Sequence, residues 1–416
     1  MKEAVEAVSE LTPEVEPGEV GFDAERLRRI DEHFGKYVDS GRLPGALVLV
    51  ARHGRVAHLA TCGWRDVEAQ APVTTDTVYR IFSMTKPVTS VAAMMLYERG
   101  LFELTDPVAD FLPAFAEPRV YTGGTPEDPQ TRPATEPVRI WHLLTHTSGL
   151  TYGFHRLHPV DKIYRDNGFE LGNGDRDLAT ACDEWARLPL LFDPGQRWNY
   201  SVATDVLGRL VEVVSGQRLD EFFRENVLGP LGMHDTAFRV PESEADRLAA
   251  LYRPDRQGRA VRHDKVGRAA LQPQKFLSGG GGLVSTAHDY HRFTSMLLRG
   301  GELDGVRLLG NRTLGYMTRN HLPGGADLES LAMGSFSEAS NAGKGFGLGF
   351  AVTEDPAAAK SLASTGEFFW GGLASTAFWV DPVEDMTVLL LTQLMPSSTY
   401  PLRSQLHQLV YQSLVD

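Results

Sequence analysis

"RIFSMTKPVTS", residues 80–90, sets Ser83 and Lys86 three positions apart where an apolar helical pattern begins. On a helix, residues at that spacing share a face and can touch. A serine hydroxyl is a weak nucleophile until a base takes its proton. A neutral lysine amine can be that base, but only if its pKa is pulled below its ordinary value of about 10.4. Burial in an apolar surround does this, and the positive end of the helix dipole adds to it. The Ser83 amide is one of the first N–H groups of the helix, without an intrahelical partner, and can face an oxyanion. Pro87 fits in the first turn, where its missing N–H matters little. The plainer alternative is a helix-capping Ser83 and a solvated Lys86. Ser-x-x-Lys arises by chance in long chains, so the rest of the sequence must decide.

The stretches on either side give the fold class. "DAERLRRIDEHFGKYVDSG" carries apolar residues at helical spacing and stops on Gly41. "GALVLVARHGRVAHLATCGW" reads as two strands around a turn at His53-Gly54. "KPVTSVAAMMLYERG" reads as a buried helix ending at Gly100, and "RIWHLLTH" and "ATDVLGRLVEVVSG" as further helices. Residues 113–138, rich in Pro, Gly and Thr, read as a long surface loop, and residues 1–20 as an acidic lead-in. "SGGGGLVSTAHDYHRFTSMLLRGG" reads as a flexible turn and then a helix capped by Ser285 or Thr286. "GFGLGFAVTED", "ASTAFWVDP" and "MTVLLLTQL" read as strands, and "RSQLHQLVYQSLVD" as a closing helix. Strands at both ends and helices between predict an α+β fold. One antiparallel sheet is flanked by the first and last helices, with a mainly helical lobe beside it. The expected domains are 1–80 with 325–416, and 81–324, with the active site between them.

Composition narrows the partners. The chain has 416 residues, with 41 Lys and Arg against 54 Asp and Glu, a net charge of −13. That acidity disfavours nucleic acid. No stretch reaches the length and hydropathy of a membrane span, and the N-terminus has no signal-peptide pattern. Two cysteines, Cys62 and Cys182, are too few for a disulfide framework and suit free thiols in the cytoplasm. His142 and His146 stand at i, i+4, followed by His155 and His158, but no His-Glu-x-x-His or zinc-spaced Cys pair is present. Packing and capping histidines are expected, with no metal and no cofactor. There is no Gly-x-Ser-x-Gly elbow, and "HTSGL" reads as a helix end stopped by Gly149.

Two distant stretches lift Ser83 above chance. They are "RWNYSVATDVLGRLVEVVSG", with Tyr200 just before Ser201 and a helix, and "STGEFFWGGLASTAFWVDP", with Trp370-Gly371-Gly372 entering a strand. With "SMTK" they resemble the serine β-lactamase and penicillin-binding-protein superfamily, and more closely its esterase branch, the family VIII carboxylesterases. "PGALVLVARHG", "HLLTHTSGL" and "GGGGLVSTAHDYHRF" fit the same order, so the resemblance runs from about residue 22 to the end. It implies Ser83 as nucleophile, Lys86 as its partner, and Tyr200 as the tyrosine of Tyr-x-Asn, acting as a general base. Val202 stands where that motif has Asn. Trp370-Gly371-Gly372 replaces the lactamase Lys-Thr-Gly and removes the cation and hydroxyl that grip a β-lactam carboxylate. The oxyanion donors implied are the Ser83 and Leu373 amides.

The expected function is therefore a serine carboxylesterase forming an acyl-serine intermediate on a small-molecule ester. The alternatives are a β-lactamase or D-alanyl-D-alanine peptidase, an acyltransferase on the same scaffold, and a non-catalytic sensor. Tyr152, Phe154, Phe368 and Trp370 predict an apolar pocket for short acyl or aromatic esters, shaped by residues 113–138 and 151–175.

Overall fold

The computed structural model describes residues 11–170, 175–334 and 341–416. The first half of the lead-in expected at 1–20 and four positions of the 151–175 segment lie outside the described residues; that segment, expected as a loop, contains helix Pro159–Asp166. Strands from both ends of the chain form one eight-stranded sheet, with antiparallel pairing throughout. From edge to edge its order is Lys344–Phe346, Ala351–Thr353, Phe368–Gly371, Ala377–Asp381, Met386–Thr392, Gly45–Arg52, Arg55–Asp66 and Ala71–Pro72. The central pair joins Val48 to Leu390 and Leu49 to Leu389. The turn expected at His53-Gly54 is there, with φ of 54° and 72°. Left-handed values at both positions match the right-handed twist of a two-residue hairpin.

The continuous apolar runs of the central strands follow from burial on both faces. Side chains alternate along a strand. Ala46, Val48, Val50, Val388 and Leu390 pack under helices Arg29–Asp39 and Leu402–Tyr411, through Ile30, Phe34, Leu406 and Val410. Leu47, Leu49, Leu389 and Leu391 face the opposite way, into the larger core with helix Ala287–Leu298. Thr286 caps that helix, its hydroxyl accepting from the Asp289 amide at 3.3 Å.

Helix Thr85–Glu98 is buried on every side from Thr85 to Leu96 and is the central post of the helical region. Helix Ala203–Ser215 packs along it and ends at Gly216 in the left-handed conformation, φ 72°. A short ladder, Tyr79 to Ser285 and Arg80 to Val284, ties the chain just before Ser83 to the chain just after the glycine tract.

Three expectations need correcting. The 113–138 segment contains a hairpin, Arg119–Gly124 with Pro129–Pro133, whose polar, proline-edged strands carry little apolar alternation. "GFGLGFAVTED" makes two strands, because Gly349 turns the chain at φ 98°. Gly149 does not stop helix Ile140–Leu144, which ends five residues earlier; its φ of 84° serves a turn against the Phe192 carbonyl. Cys62 and Cys182 are both free thiols. No helix among the described residues is long and apolar enough to cross a membrane.

Candidate active site

Ser83 lies in the single helical turn Phe82–Met84 that leads into helix Thr85–Glu98. Phe82, directly before it, holds φ at 44°. A bulky residue rarely adopts this left-handed conformation, and such strain concentrates at functional turns. Lys86 is 2% exposed, and its Nζ donates to Ser83 Oγ at 3.3 Å, Tyr152 OH at 3.1 Å and the Gly280 carbonyl at 2.7 Å. The amine thus has three oxygen partners within hydrogen-bond reach, Ser83 Oγ being the most distant. The surround expected to be apolar is thus buried but polar.

Tyr200 arrives from the other side, its OH donating to Ser83 Oγ at 2.6 Å. Lys86 Nζ also stands 4.5 Å from the centre of the Tyr200 ring. The segment before helix Ala203–Ser215 fixes this ring. The His155 Nε2–H donates to the Tyr200 carbonyl at 2.6 Å, and the buried His146 ring lies 5.0 Å away, centre to centre. Trp198 stacks against Tyr200 at 6.1 Å. Burial lowers both histidines, His155 to about 4 and His146 well below its ordinary value, so both are neutral packing and positioning groups near pH 7.

Tyr152 does more than line a pocket. Burial, with Asp205 and Tyr200 nearby, pushes its phenol well above the ordinary range, so it stays a neutral acceptor for Lys86. Asp205, in the first turn of helix Ala203–Ser215, accepts from the Ser278 hydroxyl at 2.5 Å and the Gly280 amide at 3.0 Å. Burial raises its carboxyl pKa, against the pull of Lys86, Ser278 and Gly280. The glycine tract is therefore a close-packed ledge, not a flexible turn. A Cβ on Gly280 would sit 2.6 Å from Asp205 Oδ2, and one on Gly279 would sit 2.8 Å from the Thr204 carbonyl.

Trp370 closes the site from strand Phe368–Gly371, its ring 5.5 Å from Tyr200 and 5.3 Å from Phe346. Gly372 has no room for a side chain, because a Cβ would collide with the Ile81 carbonyl and Thr376 Oγ1. This close approach sets the strand end against the turn that carries Ser83. A cavity of about 1330 Å³ opens here, lined by Ser83, Tyr152, Phe154, Tyr200, Trp370 and Leu373. Gly371, Gly372 and Val202 also line it.

Phe368 does not line the cavity, contrary to expectation. It shares a strand face with Trp370 but lies two residues deeper, packed edge-on against Phe350 at 5.2 Å. His142 Nδ1 accepts the Arg139 amide at 3.0 Å, a capping role. Among the described residues, no three His, Cys, Asp or Glu side chains are placed to hold a metal. Asp205 and Gly280 escaped the sequence reading, and His146 and His155, expected there as packing or capping histidines, are found packed around Tyr200. The glycine tract was the one legible signal, since four consecutive glycines can mark close approach as well as flexibility.

Residues 30–412 match the family described as Beta-lactamase. Protein Rv1367c of Mycobacterium tuberculosis is 38% identical over 361 residues, 86% of this chain and 88% of that protein. Esterase EstB of Burkholderia gladioli is 33% identical over 398 residues, covering 91% of this chain and 93% of the esterase. Among solved structures, "EstCE1, a hydrolase with promiscuous acyltransferase activity" superposes with a TM-score of 0.78 at 29% identity, over 93% of this chain and 98% of that one. With a family match across most of its length and relatives above 30% identity over nearly the whole chain, this protein belongs to the β-lactamase family.

Proposed function

We propose that the chain is a serine carboxylesterase of the family VIII type, hydrolysing short-chain or aromatic esters through a covalent acyl-Ser83. The observation that carries this reading is the 2.6 Å hydrogen bond from Tyr200 to Ser83 Oγ, with Lys86 Nζ 3.3 Å from the same oxygen. In the form of the Tyr200–Lys86 pair that has given up one proton to solvent, Ser83 Oγ bonds to the ester carbonyl carbon as its own proton passes to that pair. The carbonyl oxygen becomes an oxyanion held by the Ser83 and Leu373 amides. The C–O bond to the alcohol then breaks, and the alcohol leaves with a proton from Tyr200. Water, deprotonated by the same pair, attacks the acyl-serine, and Ser83 leaves with its proton restored. The similarity to Esterase EstB supports the ester as substrate.

Trp370 and Val202 steer the reading away from β-lactams. An indole and an isopropyl group stand where a β-lactam would need a cation and an amide. The site is read as lying between the unit formed by 1–80 with 325–416 and the unit 81–324. Two free thiols, Cys62 and Cys182, suit a cytoplasmic location.

The test is hydrolysis of p-nitrophenyl acetate by Ser83→Ala. Turnover should vanish, and undiminished turnover would overturn the assignment. One observation favours a second outcome on the same acyl-enzyme. The cavity, about 1330 Å³, exceeds the usual range of up to about 1,000 Å³ for small-molecule sites. It leaves room for an acceptor alcohol beside the acyl group, and EstCE1 is described with acyltransferase activity. Supplying alcohols and finding new esters by mass spectrometry would establish transfer; acid alone would establish hydrolysis.

A further inference from the structure

Gly372 and Leu373 share one peptide group, with the carbonyl from Gly372 and the N–H from Leu373. In a trans peptide the two bonds point in opposite directions within one plane. Arg403, second residue of helix Leu402–Tyr411, donates from Nη2 to the Gly372 carbonyl at 2.7 Å and to the Thr376 carbonyl at 3.1 Å. The Gly372 amide donates to the Thr376 carbonyl at 2.9 Å, so the guanidinium clamps a turn that is already closed. The Leu373 amide meets no acceptor among the described residues, and Leu373 lines the cavity with Ser83. A Cβ on Gly371 would stand 2.4 Å from the Arg403 guanidinium carbon, so a side chain there would displace the guanidinium. The position of Arg403 is itself unusual. A cation in the first turn opposes the helix dipole, and that turn has no acidic residue to offset it.

We propose that Arg403 is a positioning residue: its grip on the Gly372 carbonyl aims and polarises the peptide whose other end, the Leu373 N–H, stabilises the oxyanion formed at Ser83. This rests on the carboxylesterase reading above. Charge-assisted hydrogen bonds are shorter and stronger than neutral ones, and hydrogen bonds in series polarise one another. An oxyanion donor works by being fixed in place before the charge develops. The ground-state ester carbonyl asks less of that donor than the tetrahedral intermediate does. Loss of the clamp therefore acts on kcat more than on KM.

The experiment compares Arg403→Met, Arg403→Lys and Gly371→Ala in the full chain. It measures p-nitrophenyl acetate kinetics and inhibition by phenylboronic acid, whose adduct on Ser83 Oγ is tetrahedral and puts an oxygen in the oxyanion position. Arg403→Met should lower kcat by about 10- to 100-fold, since one misaimed donor loses part of the effect of a deleted one, with KM within about twofold. Boronate affinity should fall by a similar factor. Arg403→Lys keeps a charged donor, so it should recover part of the loss with an unchanged melting temperature. Gly371→Ala should reproduce the Arg403→Met loss, and the double variant should add nothing further. An unchanged kcat, a loss confined to KM, or a lower kcat with intact boronate affinity each overturns the proposal. Ser83→Ala, assayed alongside, separates the two readings. Turnover surviving there overturns both, whereas its loss there with an unaffected Arg403→Met overturns the Arg403 proposal alone.

Discussion

Lys86 Nζ lies closer to the Gly280 carbonyl, at 2.7 Å, than to Ser83 Oγ, at 3.3 Å. The lysine is thus anchored to a backbone ledge, and the ledge is anchored in turn by Asp205 through the Gly280 amide at 3.0 Å. The Ser-x-x-Lys spacing brings the two side chains to one face, but residues almost two hundred positions away hold the amine there.

That arrangement makes Gly280 a sensitive position. A Cβ there would stand 2.6 Å from Asp205 Oδ2 and 3.1 Å from Tyr152 OH, displacing both supports of Lys86. Gly280→Ala should lower kcat/KM on p-nitrophenyl acetate by about tenfold or more. At Gly281 the nearest atom to a Cβ is 3.7 Å away, an ordinary contact, so Gly281→Ala should retain activity. Equal effects at the two positions would remove the ledge from the account.

Tyr200→Phe deletes one oxygen and keeps a ring that is packed by His146, Trp198 and Trp370. The fold should persist, with a melting temperature close to the parent. Hydrolysis should fall by about 10²- to 10⁴-fold, the usual contribution of a positioned proton-transfer group. A loss of less than about tenfold would move the proton transfer elsewhere.

Acid should unfold the protein through its buried histidines. Burial holds His142 at about 3 and both His155 and His291 at about 4, below the ordinary 6.5. As pH falls below about 6.5, the unfolded chain binds protons that the native chain refuses, so stability present at neutral pH is lost. Each such histidine contributes a slope of about 1.4 kcal/mol per pH unit between its two pKa values. Urea midpoints taken from pH 7 to pH 4 should therefore decline steadily. His142→Asn retains an acceptor for the Arg139 amide and should flatten the slope by about one proton.

Ester and β-lactam turnover should diverge. With Val202 and Trp370 where an amide and a cation would be needed, nitrocefin hydrolysis should run at least about a hundredfold below p-nitrophenyl acetate in kcat/KM. Comparable values would restore the lactamase reading.

The sheet and the grouping of Lys86 and Tyr200 about Ser83 were legible because each has a local signature. Strongly apolar strand-length runs lie near both ends of the sequence and pair with each other, and Ser83, Lys86 and Tyr200 sit in recognisable short motifs. The supports of those groups were not legible. Gly280 acts through a carbonyl and an amide, which every residue carries, so nothing in its side chain announces the role. Asp205 looks like any acidic residue in a first helical turn, and Arg403 like any charge on a terminal helix. Phe368 failed for a related reason: strand alternation gives its face but not its depth, and two residues along the strand separate the cavity wall from the core. The hairpin at 119–133 escaped because proline and polar residues hide the alternation on which strand recognition depends.

The central pairing of Gly45–Arg52 with Met386–Thr392 also sets a timetable for synthesis. Val48 meets Leu390, so a nascent chain must make 342 more residues before this strand finds its partner. At roughly 5–20 residues per second, that is a wait of roughly 20–70 s. Through that interval the Gly45–Arg52 and Arg55–Asp66 hairpin presents an unpaired apolar edge, the surface that chaperones hold and aggregates capture. The middle strand therefore closes late in synthesis, after that edge has stood exposed through the translation of everything between the two strands.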